Sequence, residues 1–354
     1  MLRKILTSAV ALTGFTCSYG QDSATENKSK LIVTGYADAY YRHDFNKQPG
    51  NNKTSFTNSH NSFELGMASV KLEHAVGKVG MVADLGFGRR AEEFSYNDKN
   101  TMFSIKQLYL TYSPVANVKL TAGSWATHIG YELVDPTGNR NYSMSYMFSY
   151  GPFFHTGLKA EATAGVHGFM LGISNPTDFK SATSSFKYLL AQYSTSIADG
   201  KLKGYLNYQG GKPSDTTSTN QVDAVVTAAI SDKFSVGYNG TVVTNKMNSK
   251  SSAATSASWW GSAVYINIDP TPKFGLTLRS EYFNDDKTTT AVFSAAPKGG
   301  NVFANTLSAN IKISALTFIP EIRYENASEA IYTNSKGAGI KNSTSFLLAA
   351  VYKF

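Results

Sequence analysis

From residue 31 to the last residue, apolar and polar side chains alternate with period two in segment after segment. In 343–354, Phe346, Leu348, Ala350, Tyr352 and Phe354 share one face. In 316–326, Leu316, Phe318, Ile322 and Tyr324 face one way, while Thr317, Glu321, Arg323 and Glu325 face the other. Segment 302–313 sets Phe303, Leu307, Ala309, Ile311 and Ile313 against Thr306, Ser308, Asn310 and Lys312. Segment 273–283 sets Phe274, Leu276, Leu278 and Tyr282 against Thr277, Arg279 and Glu281. Successive side chains of a strand point to opposite faces, so this rhythm predicts strands and not helices. Sixteen segments carry it: 31–43, 62–75, 78–90, 102–113, 117–128, 153–164, 166–174, 186–197, 201–210, 221–231, 233–244, 258–268, 273–283, 302–313, 316–326 and 343–354.

The connections fall into two alternating classes. Val76-Gly77, Pro114-Val115-Ala116, Gly165, Ala198-Asp199-Gly200, Asp232, Asp269 to Pro272 and Ser314-Ala315 are tight. The segments 44–61, 91–101, 129–152, 175–185, 211–220, 245–257, 284–301 and 327–342 are long. A soluble sandwich shares the alternation with its faces swapped but gives no reason for the short-long rhythm. An outer-membrane barrel does, with short periplasmic turns and longer external loops. The expectation is an all-β chain: a transmembrane antiparallel up-and-down barrel of about 16 strands, within about 14–18, apolar outward and polar inward. Closure pairs every backbone polar group without water, as the hydrocarbon layer demands. Segment 62–75 changes face near Ser69, which predicts a bulge there. Repeated aromatics near strand ends (Tyr352 and Phe354, Phe274 and Tyr282, Phe234 and Tyr238) predict two interfacial girdles. Phe354 closes the last strand and fits the signal read by outer-membrane insertion machinery.

Composition agrees. No segment after Phe15 reaches the run of about 18 apolar residues that a membrane helix needs. Charged residues are 16% of the chain, where about 25% is usual, and aromatic residues are 13%. Leu2-Arg3-Lys4, the apolar stretch Ile5 to Phe15 and the small residues around Ser18-Tyr19-Gly20 read as a signal peptide over 1–20, cleaved before Gln21. The competing reading is a buried N-terminal helix, which the polar stretch after Gln21 disfavours. The barrel then occupies 21–354. Cys17 is the only cysteine, so the mature chain has no disulfide, thiolate metal site or cysteine nucleophile. The net charge of +8 is spread along the chain, and no basic block points to nucleic acid.

One long loop stands apart. The others are mostly Asn, Ser, Thr, Lys and Gly, whereas 129–152 carries Tyr142, Tyr146 and Tyr150 at helical spacing with Met147 beside them. A loop this apolar is expected to fold into the barrel and pack on its wall. Inward-facing charges elsewhere are mixed: Arg279, Arg323, Lys201, Lys203 and Lys312 against Glu281, Glu321, Asp84 and Asp223. They either line a polar channel or form a structural polar core. The basic excess favours anions weakly.

The runs Gln107-Leu108-Tyr109-Leu110, Leu120-Thr121-Ala122-Gly123, Thr127-His128-Ile129-Gly130-Tyr131-Glu132 and Gly151-Pro152-Phe153-Phe154-His155-Thr156-Gly157-Leu158-Lys159-Ala160 resemble the OmpL-like β-barrel porin family of Bacteroidetes-type bacteria. The motifs span about 103–160 and the architecture most of the mature chain. The resemblance implies an outer-membrane channel for small hydrophilic solutes, and it supplies no catalytic residues, cofactor or metal. By analogy with porins, the third loop narrows the pore. Glu132, Asp135 and Arg140 are then candidate constriction charges, with His128, Trp125 and Lys119 nearby; otherwise these charges only keep the loop soluble. Sixteen strands leave room for a water-filled lumen. Many porins of this size are homotrimers. A non-conducting barrel for adhesion or display remains the alternative. An enzyme is disfavoured: no GxSxG occurs, and His74, His128, His155 and His167 lack metal spacing.

Overall fold

The computed structural model describes residues 29–182, 184–247 and 255–354. The signal peptide expected over 1–20 lies outside the described residues. The wall consists of β1 (Ile32–Asp44), β2 (Ser62–Val76), β3 (Val79–Phe87), β4 (Ile105–Val115), β5 (Val118–Ala126), β6 (Phe154–Ala164), β7 (His167–Ser174) and β8 (Tyr188–Ile197). It continues through β9 (Leu202–Gly211), β10 (Thr217–Ser231), β11 (Phe234–Met247), β12 (Thr255–Thr271), β13 (Phe274–Asp285), β14 (Gly300–Ile313), β15 (Leu316–Ala327) and β16 (Asn342–Lys353). Each pairs antiparallel with its sequence neighbours, and β16 returns to β1, so the sheet is a closed barrel with no free edge. The seam is finished by the last residue: Gly35 and Phe354 exchange both backbone hydrogen bonds at 3.0 Å.

The alternation places faces as expected. Leu307, Ile322, Leu348 and Tyr352 point out and are widely exposed, forming the apolar belt that lipid would cover. Thr306, Ser308, Glu321 and Arg323 point in and are buried. The tight turns also follow the sequence. Gly77 and Gly165 sit at φ 56° and 61°, a backbone state that costs glycine little, which lets one short turn reverse the strand.

Three local expectations need correction. The bulge in β2 lies at Gly66-Met67, opposite Asp38, and not at Ser69. There the Met67 N–H donates to the Asp38 carboxylate at 3.0 Å, so a buried acid takes over the amide the ladder has lost. Half of the segment 211–220 is strand, leaving 212–216 between β9 and β10. Lys201 is not on the lumen wall: it sits exposed in the turn between β8 and β9.

The core of this molecule is inside the barrel. The loops 45–61, 88–104 and 127–153 turn inward, carrying the one-turn helices α1 (Arg89–Phe94) and α2 (Tyr146–Tyr150). Phe56, Phe94, Val134, Met144, Phe148, Phe153 and Phe154 pack as one cluster among these loops. Tyr146 and Met147 join Trp259, Tyr265, Phe283, Val302 and Tyr332 in another against the wall.

Candidate functional site: the lumen and its third loop

The loop 127–153 crosses the lumen, and nearly every crossing step is a hydrogen bond to an inward-facing wall residue. It starts at β5, where Thr127 Oγ1 lies 3.0 Å from His155 Nε2. The Gly130 N–H donates to Asp223 on β10 at 3.0 Å, and the Tyr131 N–H to Asn239 on β11 at 3.3 Å. The Tyr131 ring stacks on Tyr265 of β12 at 4.0 Å. Asp223 is itself held by Asn207 and Asn239 at 2.7 and 2.6 Å, so a buried carboxylate fixes the loop's turn through neutral donors.

The far side carries the ionic anchors. Glu132 Oε1 meets Arg279 Nη1 at 2.5 Å, with both side chains almost wholly buried. Arg279 also donates to the Ser143 carbonyl at 2.7 Å, tying both limbs of the loop to β13. Asp135 reaches the β4 side, pairing with Lys106 at 2.7 Å and accepting from the Tyr36 hydroxyl at 2.8 Å. Lys106 also pairs with Asp84 at 3.1 Å. Arg140 forms a two-pronged pair with Asp269 at 3.0 and 2.6 Å, near the tight-turn end of β12. The loop therefore descends almost the full depth of the barrel.

The return limb is fixed by acids that accept backbone amides. Glu321 takes the Tyr142 N–H at 2.9 Å, and the Tyr142 hydroxyl donates to Asp38. Glu281 takes the amides of Tyr146 and Met147 at 2.9 Å each. These open α2, whose first N–H groups have no partner within the helix, so the carboxylate supplies one. Ser145 caps the same helix by accepting from the Phe148 N–H at 3.1 Å. The Tyr146 hydroxyl donates to Glu325 at 2.7 Å, and Arg323 binds the Met144 carbonyl at 2.7 Å.

The expected site residues thus separate into groups. Glu132, Asp135 and Arg140 do belong to an inward-folded loop, but each is spent on an ion pair with the wall. Arg279, Glu281, Glu321 and Arg323 do face inward, but they serve as anchors beneath the loop. Trp125 is buried against Met170, Tyr188 and Leu190. His128 bonds the Tyr208 carbonyl through Nε2 at 3.1 Å and lies beside His155, ring centres 5.1 Å apart. Lys119 faces the lumen on the opposite wall, 38% exposed and paired with Glu161 at 3.1 Å. Lys203 and Lys312 face inward and are half-buried.

Sequence reasoning missed Asp38, Lys106, Lys159, Asp178 and Asp269. Lys159 and Glu161 were readable as inward positions of 153–164. The others act through partners far away in the chain, which alternation cannot pair. Asp178 sits in the external loop 175–187, accepting the Phe153 and Phe154 N–H groups at 2.8 and 3.0 Å and the Tyr96 hydroxyl at 3.0 Å. Burial pushes its carboxyl up to about 7, against those donors and Lys180.

The lumen wall is divided as a result. Inward residues of β12 to β16 and β1 are almost all buried, beneath the loop 127–153 together with parts of 45–61 and 327–341. Inward residues that keep contact with solvent cluster on β2 and on β4 to β10: Lys71, Glu73, Tyr109, Lys119, Lys159, Glu161, Gln192, Lys203 and Tyr205.

Residues 30–354 match the family model described as "Putative beta-barrel porin-2, OmpL-like". Among solved structures, the chain is similar to OmpT, an outer membrane protein of Vibrio cholerae, at 12% identity and TM-score 0.58, covering 94% of this chain and 99% of that one. A trimer form of the same Vibrio protein matches at 13% identity and TM-score 0.58, over 92% and 99%. An anion-selective porin from Comamonas acidovorans matches at 10% identity and TM-score 0.59, over 92% and 100%. At such identities these structures share the fold. No curated protein matches the sequence.

Proposed function

Because the chain belongs to the OmpL-like β-barrel porin family, we propose that it is a narrow outer-membrane porin through which small hydrophilic solutes diffuse along one side of the lumen. The observation that carries this reading is the divided wall. A closed sixteen-strand barrel has an apolar exterior, an inward-folded loop over one half, and polar, solvent-touched residues along the other. Opposed charges and hydrogen-bonding groups replace part of a solute's hydration as it passes. Family and fold point to a channel and not to an enzyme.

Three further parts of the reading are proposals. Residues 1–20 direct export and are removed. Phe354, exposed at the seam and paired with Gly35, serves insertion into the outer membrane. The barrel assembles as a homotrimer, a form that the Vibrio cholerae protein of like fold adopts. The alternative, a non-conducting barrel for adhesion or display, draws on the dense packing of loops 45–61, 88–104 and 127–153 inside the barrel. Purified protein in a planar bilayer decides. Stepwise conductance, with swelling of liposomes in small sugars but not in large ones, is expected; a silent bilayer would overturn the porin reading in favour of the alternative.

A further inference from the structure

The lumen holds two histidines for which passive diffusion gives no reason. His155 on β6 lies directly across from Trp125 on β5, and His128 begins the third loop just beyond β5. Strand pairing thus brings together two rings that local sequence spacing keeps apart, their centres 5.1 Å from each other. His155 is 1% exposed. Each ring buries an Nδ1 atom that has no hydrogen-bond partner among the described residues.

The partners of the other nitrogens decide what those atoms can do. His128 Nε2 stands 3.1 Å from the Tyr208 carbonyl, which only accepts, so Nε2 carries the proton. In the neutral ring Nδ1 is then a bare lone pair. His155 Nε2 stands 3.0 Å from Thr127 Oγ1. That oxygen accepts the Ile129 N–H at 3.1 Å and has a second lone pair for the His155 Nε2–H, which leaves His155 Nδ1 bare as well. Metal-bound imidazoles commonly have this form, with the outer N–H donating to an oxygen and the inner nitrogen free. A zinc-type ion about 2.0–2.1 Å from each nitrogen holds two ring centres roughly 5 Å apart at the tetrahedral angle. The Gln192 side chain, which touches lumen water, donates to the His128 carbonyl at 3.4 Å, so the pair stands at the edge of the open half. A second pair at the external rim, His43 and His60, has ring centres 5.0 Å apart but not this chemistry, because His60 Nδ1 already accepts the Asp44 N–H at 3.0 Å.

We propose that His128 and His155 form a divalent transition-metal site, for zinc or copper(II), at the root of the third loop, with solvent completing the ligand set. Imidazole donors suit zinc and copper, whereas calcium and magnesium take oxygen. Among the described residues no group of three His, Cys, Asp or Glu could hold a metal, so the site is a two-imidazole one of moderate affinity. A bound ion would tie the start of the loop to β6. The site does not depend on whether the barrel conducts.

Calorimetric titration of the tag-free protein in detergent with zinc and with copper(II) tests the proposal, with heat-modifiable gel migration confirming that each variant is folded. One ion per chain is expected to bind in the micromolar range, zinc should raise the thermal midpoint of migration, and calcium should not bind. His128→Gln and His155→Gln should each weaken binding on the order of tenfold or more, while His43→Gln should leave it unchanged. Lys159→Gln removes an ammonium held over the Trp125 ring, directly across from His155, and should tighten binding severalfold. Electron paramagnetic resonance of the unaltered chain with copper(II) should show coupling to imidazole nitrogen, a reading that needs no variant. Binding that survives both histidine changes, or copper without nitrogen coupling, overturns the site. Failure of the folded, unaltered chain to bind either metal also overturns it and assigns the two Nδ1 atoms to a bridging water.

Discussion

Two halves of one wall, built from the same alternating strands, do different work. On β12 to β16 and β1 the inward polar groups are almost completely buried, and Arg279, Glu281, Glu321 and Arg323 among them are bonded to atoms of the loop 127–153. On β2 and β4 to β10 some similar groups, Lys71, Lys119, Gln192 and Lys203 among them, meet lumen water, while Lys106, Asn207 and Asp223 are buried there too. The strand pattern does not distinguish the halves; what differs is whether a loop lies on them. Polar residues on an inward face are thus neither channel lining nor core by nature. Under a loop rich in aromatic residues they become anchors, because a buried charge without a partner costs far more than its pair returns.

The contrast breaks most severely at its strongest anchor. Arg279→Ala leaves Glu132 buried without its cation and frees the Ser143 carbonyl. Breaking such a pair costs about 3–5 kcal/mol. The loop should leave the wall, seen as larger, noisier single-channel conductance and faster protease cutting within 127–153. Conductance and cutting like those of the unaltered chain would show that the loop is held by its apolar contacts alone.

Tyr142→Phe removes one hydroxyl donating to the Asp38 carboxylate while keeping the ring. A loss of about 1.5–3 kcal/mol is expected from a hydrogen bond to a charged group. It should appear as a lower thermal midpoint for heat-modifiable migration, with conductance little changed.

Arg140→Ala tests a weaker tie. Its ion pair with Asp269 is 21% and 34% exposed, so solvent screens it. The expected cost is about 0.5–1 kcal/mol, and conductance should rise slightly because the pair stands in the lumen near the tight-turn end. A rise as large as that of Arg279→Ala would place the controlling constriction here and not at mid-depth.

The gentlest test is pH, read at the external rim. Asp178 holds its proton up to about 7 when the loops are packed, above its ordinary 3.8. Because the packed-state value is the raised one, protonation favours packing. That contribution is fully present below about 4 and is lost as pH rises through about 7. Loops 88–104 and 175–187 should therefore resist protease better at about pH 5 than at about pH 8, and Asp178→Asn should flatten the difference. Equal protection at both pH values in the unaltered chain would count against a titrating Asp178.

Alternation and turn residues alone determined the barrel. All sixteen strands fall where the pattern places them, to within a few residues, because a membrane-facing strand must show lipid one face and water or protein the other over its whole length. The burial of Tyr142, Tyr146 and Met147 was also legible, since large apolar side chains have no stable place in water. Partnership was not legible. Glu132 with Arg279, Asp135 with Lys106, and Arg140 with Asp269 are joined across the lumen, from segments that the local pattern treats independently. Which inward charges touch water was likewise settled only by the path of the loop. Periodicity is a local property of the backbone, whereas burial of a charge depends on what the rest of the chain lays over it.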